Sequence, residues 1–292
     1  MEAGPEGIDR LLGELHDVVA AKSPHLARLL EIFGQEARFG RGWLEASLSA
    51  LSRGDAVLEI GAGLMILSCQ LVREGFSVTA LEPISEGFSD FTELQAIVLE
   101  HAAAQGVVPR IVRLPVEEFH ERAAFALAYS VNVMEHVRDF PEALKNAGEA
   151  IRPGAHYRFI CPNYLFPYEP HFDIPTLFSK KLTERVFRSR IAANRRVADP
   201  EGLWRSLNWV TVPQVLHAAG RMSGFSVQLE RTMFRIALER ALHDKEFSAR
   251  RAAWVRFLAR GIVALRLHRL AEWIPVQAHP IIDCTLTRLR PT

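Results

Sequence analysis

One segment, residues 56–83, constrains the fold more than any other part of this chain, because it reads as strand, tight glycine turn, helix and strand. Val57–Ile60 is a short, mostly apolar run with a β-branched residue at each end, and it predicts the first strand. Gly61 and Gly63 then supply a turn in which the backbone can approach a ligand closely. Apolar residues at helical spacing follow, and residues 77–81 predict the second strand. The segment predicts the first strand–helix–strand unit of a parallel α/β sheet.

Two acids flank this glycine turn. Glu59 precedes it in the pattern E-x-G-x-G, and Glu82 follows the second strand. Open α/β sheets bind ligands at the carboxyl ends of their strands, so Glu82 is placed to accept hydrogen bonds from both ribose hydroxyls of a nucleotide-like cofactor. An anion at Glu59 repels pyrophosphate but suits a ligand with an amino group or a sulfonium. A nicotinamide enzyme is disfavoured because Ile66 stands where the third glycine is expected, and no Gly-Lys-Ser/Thr run predicts a P-loop.

This pattern resembles motif I of the class I S-adenosylmethionine-dependent methyltransferases, in the small-molecule branch called type 11 or 12. Residues 125–137 and 152–164 resemble the fourth and fifth strands of that family. The resemblance implies a Rossmann-like, seven-stranded, mostly parallel sheet with helices on both faces, and S-adenosylmethionine as the cofactor. It implies cofactor contacts at Glu59, Gly61, Gly63, Glu82, Pro83, Val116, Glu117 and Asn132.

Three positions depart from the family pattern. Met65 stands where the third glycine is usual, and Ala126 replaces an aspartate after Phe125. Pro115 occupies the place of an acid that commonly meets the adenine amine, which leaves the Val116 backbone and Glu117 as substitutes. These departures motivate a competing hypothesis, a non-catalytic binding or scaffold protein on a degenerate methyltransferase fold.

The chain divides by pattern into four predicted regions. Residues 1–53 form an amino-terminal helical region, 54–161 the cofactor-binding core, 162–209 a substrate-side insertion, and 210–292 complete the core around a helical insertion near 233–275. Helical insertions are thus expected before and after the sixth strand. Helices are predicted over Ile8–Ala20, Pro24–Phe33 and a third segment ending near Leu51, and strands near 56–61, 77–82, 109–113, 125–130, 156–161, 225–229 and 281–289.

His136, in the sequence N-V-M-E-H after the fourth strand, is the best-placed titratable residue for catalysis. Its imidazole can act as a general base near neutral pH, which an acceptor hydroxyl requires. The alternative is that Glu135 and His136 begin a helix and fix a loop. We therefore predict methyl transfer to a small-molecule or lipid-linked acceptor, at oxygen.

A second polar cluster follows the fifth strand. Tyr164, Tyr168 and His171, with two acids among them, form a candidate acceptor pocket, and the alternative is a proline-rich surface loop. No set of His, Asp or Glu residues shows metal-ligand spacing, so no metal site is predicted.

Cysteine usage and the amino terminus predict a cytoplasmic protein. Cys69, Cys161 and Cys284 form no C-x-x-C pair and lie in apolar patterns typical of core positions. The amino terminus is acidic and has no long apolar region, which predicts no signal peptide.

Charge is distributed unevenly along the chain. Residues 1–173 carry 14 Lys/Arg against 25 Asp/Glu, whereas residues 174–292 carry 21 against 9. Residues 247–273 add arginines interleaved with Trp254, Leu258, Ile262 and Leu265, a composition that suits a peripheral contact with anionic lipid. The alternatives are a helical pair packed on the core and mutual attraction of the two halves. No nucleic-acid-binding motif is present in the sequence, and nothing in it indicates an oligomeric state.

Overall fold

A computed structural model of the chain describes residues 5–83, 89–177, 179–194, 199–243, 248 and 253–291. One seven-stranded sheet contains all the named strands, in the order β3-β2-β1-β4-β5-β7-β6. The strands are β1 (Ala56–Ile60), β2 (Ser77–Leu81), β3 (Arg110–Val112), β4 (Phe125–Val131), β5 (Ile151–Pro162), β6 (Phe225–Leu229) and β7 (Ile281–Arg288). β1 pairs in parallel with β2 and β4, and β2 with β3, whereas β6 and β7 are antiparallel. The predicted Rossmann-like fold class is confirmed.

Helices occupy most of the chain between these strands. They are α1 (Pro5–Lys22), α2 (Ala27–Trp43), α3 (Glu45–Ser49), α4 (Ile66–Arg73), α5 (Asp90–Ala104), α6 (Phe140–Ala150), α7 (Lys180–Ala192), α8 (Pro200–Ser206), α9 (Val212–Gly220), α10 (Met233–His243) and α11 (Ala253–Ala264). Short 3₁₀ turns cover Pro24–Leu26, Val116–Glu118, Leu267–Trp273 and Val276–Ala278. The helical segments predicted before and after the sixth strand are therefore present, although residues 195–198, 244–247 and 249–252 lie outside the described residues.

Two elements differ in extent from the sequence prediction. The helix expected to end at Phe33 continues through Gly34 and Gly40, because these glycines let α2 pack closely on its neighbours. A Cβ at Gly34 would lie 2.9 Å from Leu12, and one at Gly40 would lie 3.0 Å from Leu67. β5 begins at Ile151 rather than near residue 156, and thus covers nearly all of the stretch 152–164 that resembles the fifth strand of the family.

The chain forms two compact units. The amino-terminal unit comprises Met1–Val131 and Glu149–Tyr157, and the carboxyl-terminal unit comprises Asn132–Gly148 and Arg158–Thr292. The core of the first unit joins buried side chains of α1, α2, α4 and α5 to those of β1, β2 and β4. The second unit contains a buried aromatic cluster around Trp204 and Trp209, and a smaller cluster between α10 and α11. The four-region division drawn from the sequence stays a prediction.

The three cysteines are buried and unpaired, as their apolar patterns predict. None of the helices in the described part of the chain has both the length and the apolar character needed to cross a bilayer.

Candidate active site

The glycine turn after β1 adopts a left-handed backbone at three alternate positions. The φ angles of Gly61, Gly63 and Met65 are 71°, 53° and 61°, and α4 begins directly afterwards. The Gly61 N–H donates to the Leu81 carbonyl at 2.8 Å, which ties the turn to the end of β2. Among the described residues beyond its chain neighbours, only Phe33 would lie within 4 Å of a Cβ placed on Gly63, at 4.0 Å, so the backbone there is not crowded by them.

Glu82 is held directly on this turn. Its Oε2 accepts a hydrogen bond from the Gly63 N–H at 2.8 Å, and the Gln95 side-chain amide donates to the Gly63 carbonyl at 2.5 Å. Burial raises the pKa of Glu82, although the Gly63 N–H and the charge of Arg113 oppose that shift. Within the described residues Oε1 has no hydrogen-bond partner, so one carboxylate oxygen is available to a ligand hydroxyl. The structure therefore brings together Gly61, Gly63 and Glu82 as the sequence predicted.

Glu59 lies beneath the turn and is almost completely buried, at 7% exposure. Its Oε2 accepts a hydrogen bond from the Ser68 hydroxyl. Burial raises the pKa of Glu59 to about 7, against the lowering effects of the Ser68 and Tyr129 hydroxyls, and the charge of Glu82 raises it further. A cationic ligand group beside Glu59 would favour the charged carboxylate.

The remaining predicted cofactor contacts lie on separate loops. Pro83 is exposed after β2, while Val116 is buried and Glu117 half-buried on the 3₁₀ turn Val116–Glu118. Asn132 is exposed with a left-handed φ of 55°, and its N–H donates to the Ile160 carbonyl at 2.9 Å. Cofactor contact at these four residues stays a prediction.

A second polar group lies in the carboxyl-terminal unit. We call it the histidine–carboxylate cluster, and it consists of Glu135, His136 and His171. One potential ligand atom from each of the three lies within 4.8 Å of the others. The two imidazole rings meet edge to face with centroids 5.6 Å apart, and His136 Nε2 lies 4.0 Å from Glu135 Oε1. The structure thus places the predicted base and one predicted substrate residue together.

Asn208 positions the E-H turn, residues 132–137, from which two members of this cluster project. Its N–H donates to the Glu135 carbonyl at 2.7 Å, and its side-chain amide donates to the carbonyls of Met134 and Val137 at 2.7 and 2.9 Å. Ser206 Oγ lies 2.9 Å from His136 Nδ1. The sequence analysis missed Asn208 and Ser206, since each is about 70 residues away in the chain and no local pattern marks it.

Glu169 positions His171 from the other side. Glu169 is fully buried, its Oε1 lies 2.6 Å from His171 Nδ1, and its Oε2 accepts the Phe172 N–H at 2.7 Å. Tyr164 is 2% exposed, stacks on Trp209 and donates to Glu169 Oε1 at 3.3 Å. The observed role of Tyr164 is thus to support the carboxylate, and its contact with an acceptor stays a prediction.

Tyr168, the other predicted substrate residue, is half-buried and hydrogen-bonds to Asp173 through its hydroxyl. Its contact with an acceptor also stays a prediction.

Burial sets the protonation of the cluster. It raises the pKa of Glu135 to about 7, although the charge of His171 lowers it and that of Glu169 raises it. Burial and the neighbouring His171 lower the pKa of His136 to about 4, so this imidazole is neutral across the physiological range. Neither Glu135 oxygen has a hydrogen-bond partner in the described part of the chain.

Comparison with known proteins decides the family. Residues 26–205 match a family described as a methyltransferase domain. The chain belongs to this methyltransferase family. An uncharacterized protein of Mycobacterium tuberculosis is 48% identical to this methyltransferase over 282 residues, which cover 96% of this chain and 95% of that protein. The ubiquinone biosynthesis O-methyltransferase of Cronobacter sakazakii is 31% identical over 112 residues, or 38% of this chain and 43% of that protein.

A solved S-adenosylmethionine-dependent methyltransferase from Mesorhizobium loti aligns with 84% of this methyltransferase and 96% of its own chain, at 19% identity and a TM-score of 0.48. At that TM-score the likeness adds nothing to the fold assignment, which rests on the strand order.

S-adenosylmethionine is the cofactor of this methyltransferase. The residues around the glycine turn fit it, because Glu82 Oε1 is available for a ribose hydroxyl and the buried Glu59 carboxyl can balance a cationic group. The family match favours the enzyme over the scaffold hypothesis that Met65 motivated. Met65 itself keeps the left-handed backbone that a third glycine would adopt.

Because Glu59 is buried, we predict that it makes the stability of the protein depend on pH. Its pKa is raised from 4.5 to about 7 on folding. The contribution of Glu59 to the free energy of unfolding is therefore fully present below pH 4.5 and is lost as the pH rises through about 7. Glu59→Gln cannot ionise, and we expect it to be more stable than the parent at pH 8 by up to about 3 kcal/mol, with the difference disappearing near pH 4.5. The same variant is expected to bind S-adenosylmethionine more weakly at pH 8, because the ammonium group loses its counter-charge.

Thermal melts across this pH range, with calorimetric titration of the cofactor, measure both effects. Exposed Glu118→Gln is the matched control and is expected to change neither. A pH-independent stability difference for Glu59→Gln would contradict the prediction.

Proposed function

We propose that this methyltransferase methylates an oxygen atom of a small-molecule or lipid-linked acceptor. The observation that carries the proposal is the histidine–carboxylate cluster, which offers a carboxylate and two imidazoles to hold a hydroxyl group and accept its proton. The partial similarity to ubiquinone biosynthesis O-methyltransferases supports the same type of reaction. That similarity covers less than half of each chain and does not identify the acceptor.

Each group then has one task. The glycine turn and Glu82 bind and orient the cofactor, and Glu59 balances its positive charge. The bound cofactor supplies an electrophilic methyl group on a sulfonium. His136 would accept the proton of the acceptor hydroxyl, whose oxygen would take the methyl group while the electron pair of the broken carbon–sulfur bond would stay on the cofactor's sulfur. Positioning of the oxygen in line with that bond accounts for most of the acceleration expected of such a site.

Methyl transfer from tritiated S-adenosylmethionine into a cellular lipid and small-molecule extract tests this proposal. Label on an oxygen of an alcohol or phenol resists mild alkali, a methyl ester releases methanol, and label on nitrogen partitions as a base into acid. With the parent protein we expect alkali-stable, non-basic product that releases its label as methyl iodide in hydriodic acid, as a methyl ether does and a carbon-bound methyl group does not, and we expect none with Gly61→Val. Label recovered only on nitrogen would overturn the assignment to oxygen, and absence of any labelled product would overturn transfer to acceptors in this extract.

The lipid-linked option rests on an apolar patch in the carboxyl-terminal unit. Phe257, Leu265 and Trp273 are 76%, 71% and 82% exposed, and Arg260 and Arg266 are exposed in the same segment of the chain. The patch also includes Leu258, Leu267 and Leu270. Exposed apolar surface with interleaved arginines is the composition of a surface that rests on anionic lipid.

The apolar residues that the sequence interleaves with arginines along and just after α11 are only partly exposed. Ile262 packs with Val263 against the cluster of Leu238 and Ala259, so one face of α11 is buried. Leu258 and Leu265 are exposed on the patch, and the side chain of Trp254 lies outside the described residues. The buried face fits the packed-helix alternative, and contact of the exposed face with lipid remains part of this proposal.

We predict salt-sensitive binding to anionic vesicles. Each arginine near an acidic bilayer contributes about 1 kcal/mol, and burial of aromatic side chains adds to it. Co-sedimentation with phosphatidylglycerol vesicles is expected at low salt and should fall at high salt or with phosphatidylcholine alone. The double variant Phe257→Ser with Trp273→Ser should lose most binding, whereas Val186→Ser, an exposed apolar residue outside the patch, should not. Equal binding by both variants would contradict a role of the patch.

A further inference from the structure

Glu135 is a buried carboxylate with no hydrogen bond to either oxygen within the described residues, and its exposure is 0%. Burying such a group costs free energy unless a partner compensates it. His136 and His171 lie beside it, and one potential ligand atom from each of the three residues lies within 4.8 Å of the others. A cation bound between this carboxylate and the two imidazole rings would supply such a partner.

The hydrogen-bond network assigns the tautomer of His136. The Ser206 hydroxyl donates its hydrogen to the Leu203 carbonyl at 2.8 Å, so toward His136 Nδ1 at 2.9 Å its oxygen can only accept. Nδ1 therefore carries the hydrogen, and the lone pair of this ring is on Nε2. This is the nitrogen that lies 4.0 Å from Glu135 Oε1.

His171 is set in the same way. Its Nδ1 lies 2.6 Å from a Glu169 oxygen, and a carboxylate accepts a hydrogen, so Nδ1–H donates and Nε2 is the nitrogen that can bind a metal ion once it carries no proton. A buried carboxylate bonded to the Nδ1 of a histidine is the arrangement that orients metal-ligating imidazoles in many proteins. Tyr164 and the Phe172 N–H in turn fix Glu169.

We propose that Glu135, His136 and His171 form a site for a divalent first-row transition metal ion, with Zn²⁺ as its reference cation. Two imidazoles and one carboxylate form a donor set that Zn²⁺ accepts, whereas Mg²⁺ and Ca²⁺ prefer oxygen ligands. Coordination at about 2.1 Å would draw the three ligand atoms together by about 1 Å. The His136 and His171 side chains are 30% and 24% exposed, so a cation and a fourth ligand can reach the site from solvent.

The sequence alone predicts no metal site here, because the two histidines are 35 positions apart and their spacing matches no ligand motif. The chain brings them together through Asn208, which holds the E-H turn, and through Glu169, which holds His171.

A role in catalysis, though not the site itself, rests on the proposed function. With three protein ligands, the open position can bind the acceptor oxygen and lower the pKa of its hydroxyl. The hydroxyl proton then leaves to solvent, the oxygen lone pair forms the bond to the methyl carbon, and the carbon–sulfur pair stays on sulfur. In that case His136 acts as a ligand and not as the base.

Calorimetric titration of chelator-treated full-length protein with ZnCl₂, without cofactor, is the test. We expect one Zn²⁺ per chain, no displacement by excess Mg²⁺, and visible d–d absorption from Co²⁺ bound in place of Zn²⁺. Glu169→Gln should weaken Zn²⁺ binding by about 10–100-fold, since it acts through His171. Glu135→Gln and His171→Ala should weaken it further, and the exposed His217→Ala should leave it unchanged.

Glu135→Gln keeps the test independent of folding, because it removes a buried charge and should preserve or raise the melting temperature of the metal-free protein. Failure of the parent to bind Zn²⁺ stoichiometrically would overturn the site, as would wild-type affinity in folded Glu135→Gln. Since no methyl transfer is measured, failure of the proposed O-methylation leaves this result unaffected. A protein that binds Zn²⁺ but methylates nitrogen would retain the site and lose the proposed function.

Discussion

Gly61→Val is expected to abolish binding of S-adenosylmethionine at any concentration that calorimetry can reach. The φ angle of Gly61 is 71°, a conformation that costs an ordinary residue about 1–2 kcal/mol and a β-branched one more. The valine side chain would also occupy the space where the backbone is predicted to meet the cofactor. The backbone N–H of residue 61 holds the turn to the Leu81 carbonyl. Any shift that relieves the strain would therefore also move Gly63 and Glu82.

Gly106→Val separates the effect of backbone strain from the effect of filling the space for the cofactor. Gly106 has a φ of 69°, nearly that of Gly61, and a Cβ there would meet no heavy atom within 4 Å. The control therefore imposes the same backbone strain away from the turn, and it should lower the melting temperature while keeping cofactor affinity. If Gly61→Val does not fold, Gly61→Ala provides the smaller change. Folded Gly61 variants that bind cofactor like the parent would show that this turn is not the cofactor site.

His136→Ala is expected to lower turnover by on the order of 10²–10⁴-fold with a hydroxyl acceptor, with cofactor affinity unchanged. The loss follows from removing the imidazole that contacts Glu135 and His171, whether it serves as the base or as a metal ligand. Formation of S-adenosylhomocysteine with the acceptor found in the labelling experiment measures it. The exposed His120→Ala should keep parental turnover.

The affinity of His136→Ala for Zn²⁺ distinguishes the role of His136 as a general base from its role as a metal ligand. A general base can be removed without changing Zn²⁺ binding, whereas removal of a ligand weakens it together with turnover. Parental turnover in folded His136→Ala would contradict both roles and would place the proton acceptor on another residue.

Local patterns predicted most of the fold. Alternation of short strand patterns with helical spacing located the strands to within about five residues, and the glycine pattern located the turn on which the structure holds Glu82. Prediction failed where tertiary packing overrides local preference. The helix predicted to end at Phe33 continues to Trp43, and Gly34 and Gly40 lie where a side chain would crowd Leu12 and Leu67.

The second site was predictable only in part. His136 and His171 stand out as histidines beside predicted strand ends, so their residue types and loops were sufficient to name them. The contacts of Glu169, Ser206 and Asn208 depend on how residues 162–209 fold back on the E-H turn, which no local spacing encodes. The unpartnered carboxylate of Glu135 is likewise a property of the packed protein and not of its sequence.

Met65 carries a consequence for how distant relatives are recognised. It is fully buried, and its φ and ψ of 61° and 16° reproduce the backbone that a third glycine would supply. The surrounding core enforces a conformation that costs about 1–2 kcal/mol in a residue with a side chain. Homology searches that require three glycines would therefore pass over chains of this kind, whereas a search on backbone dihedral angles would retrieve them.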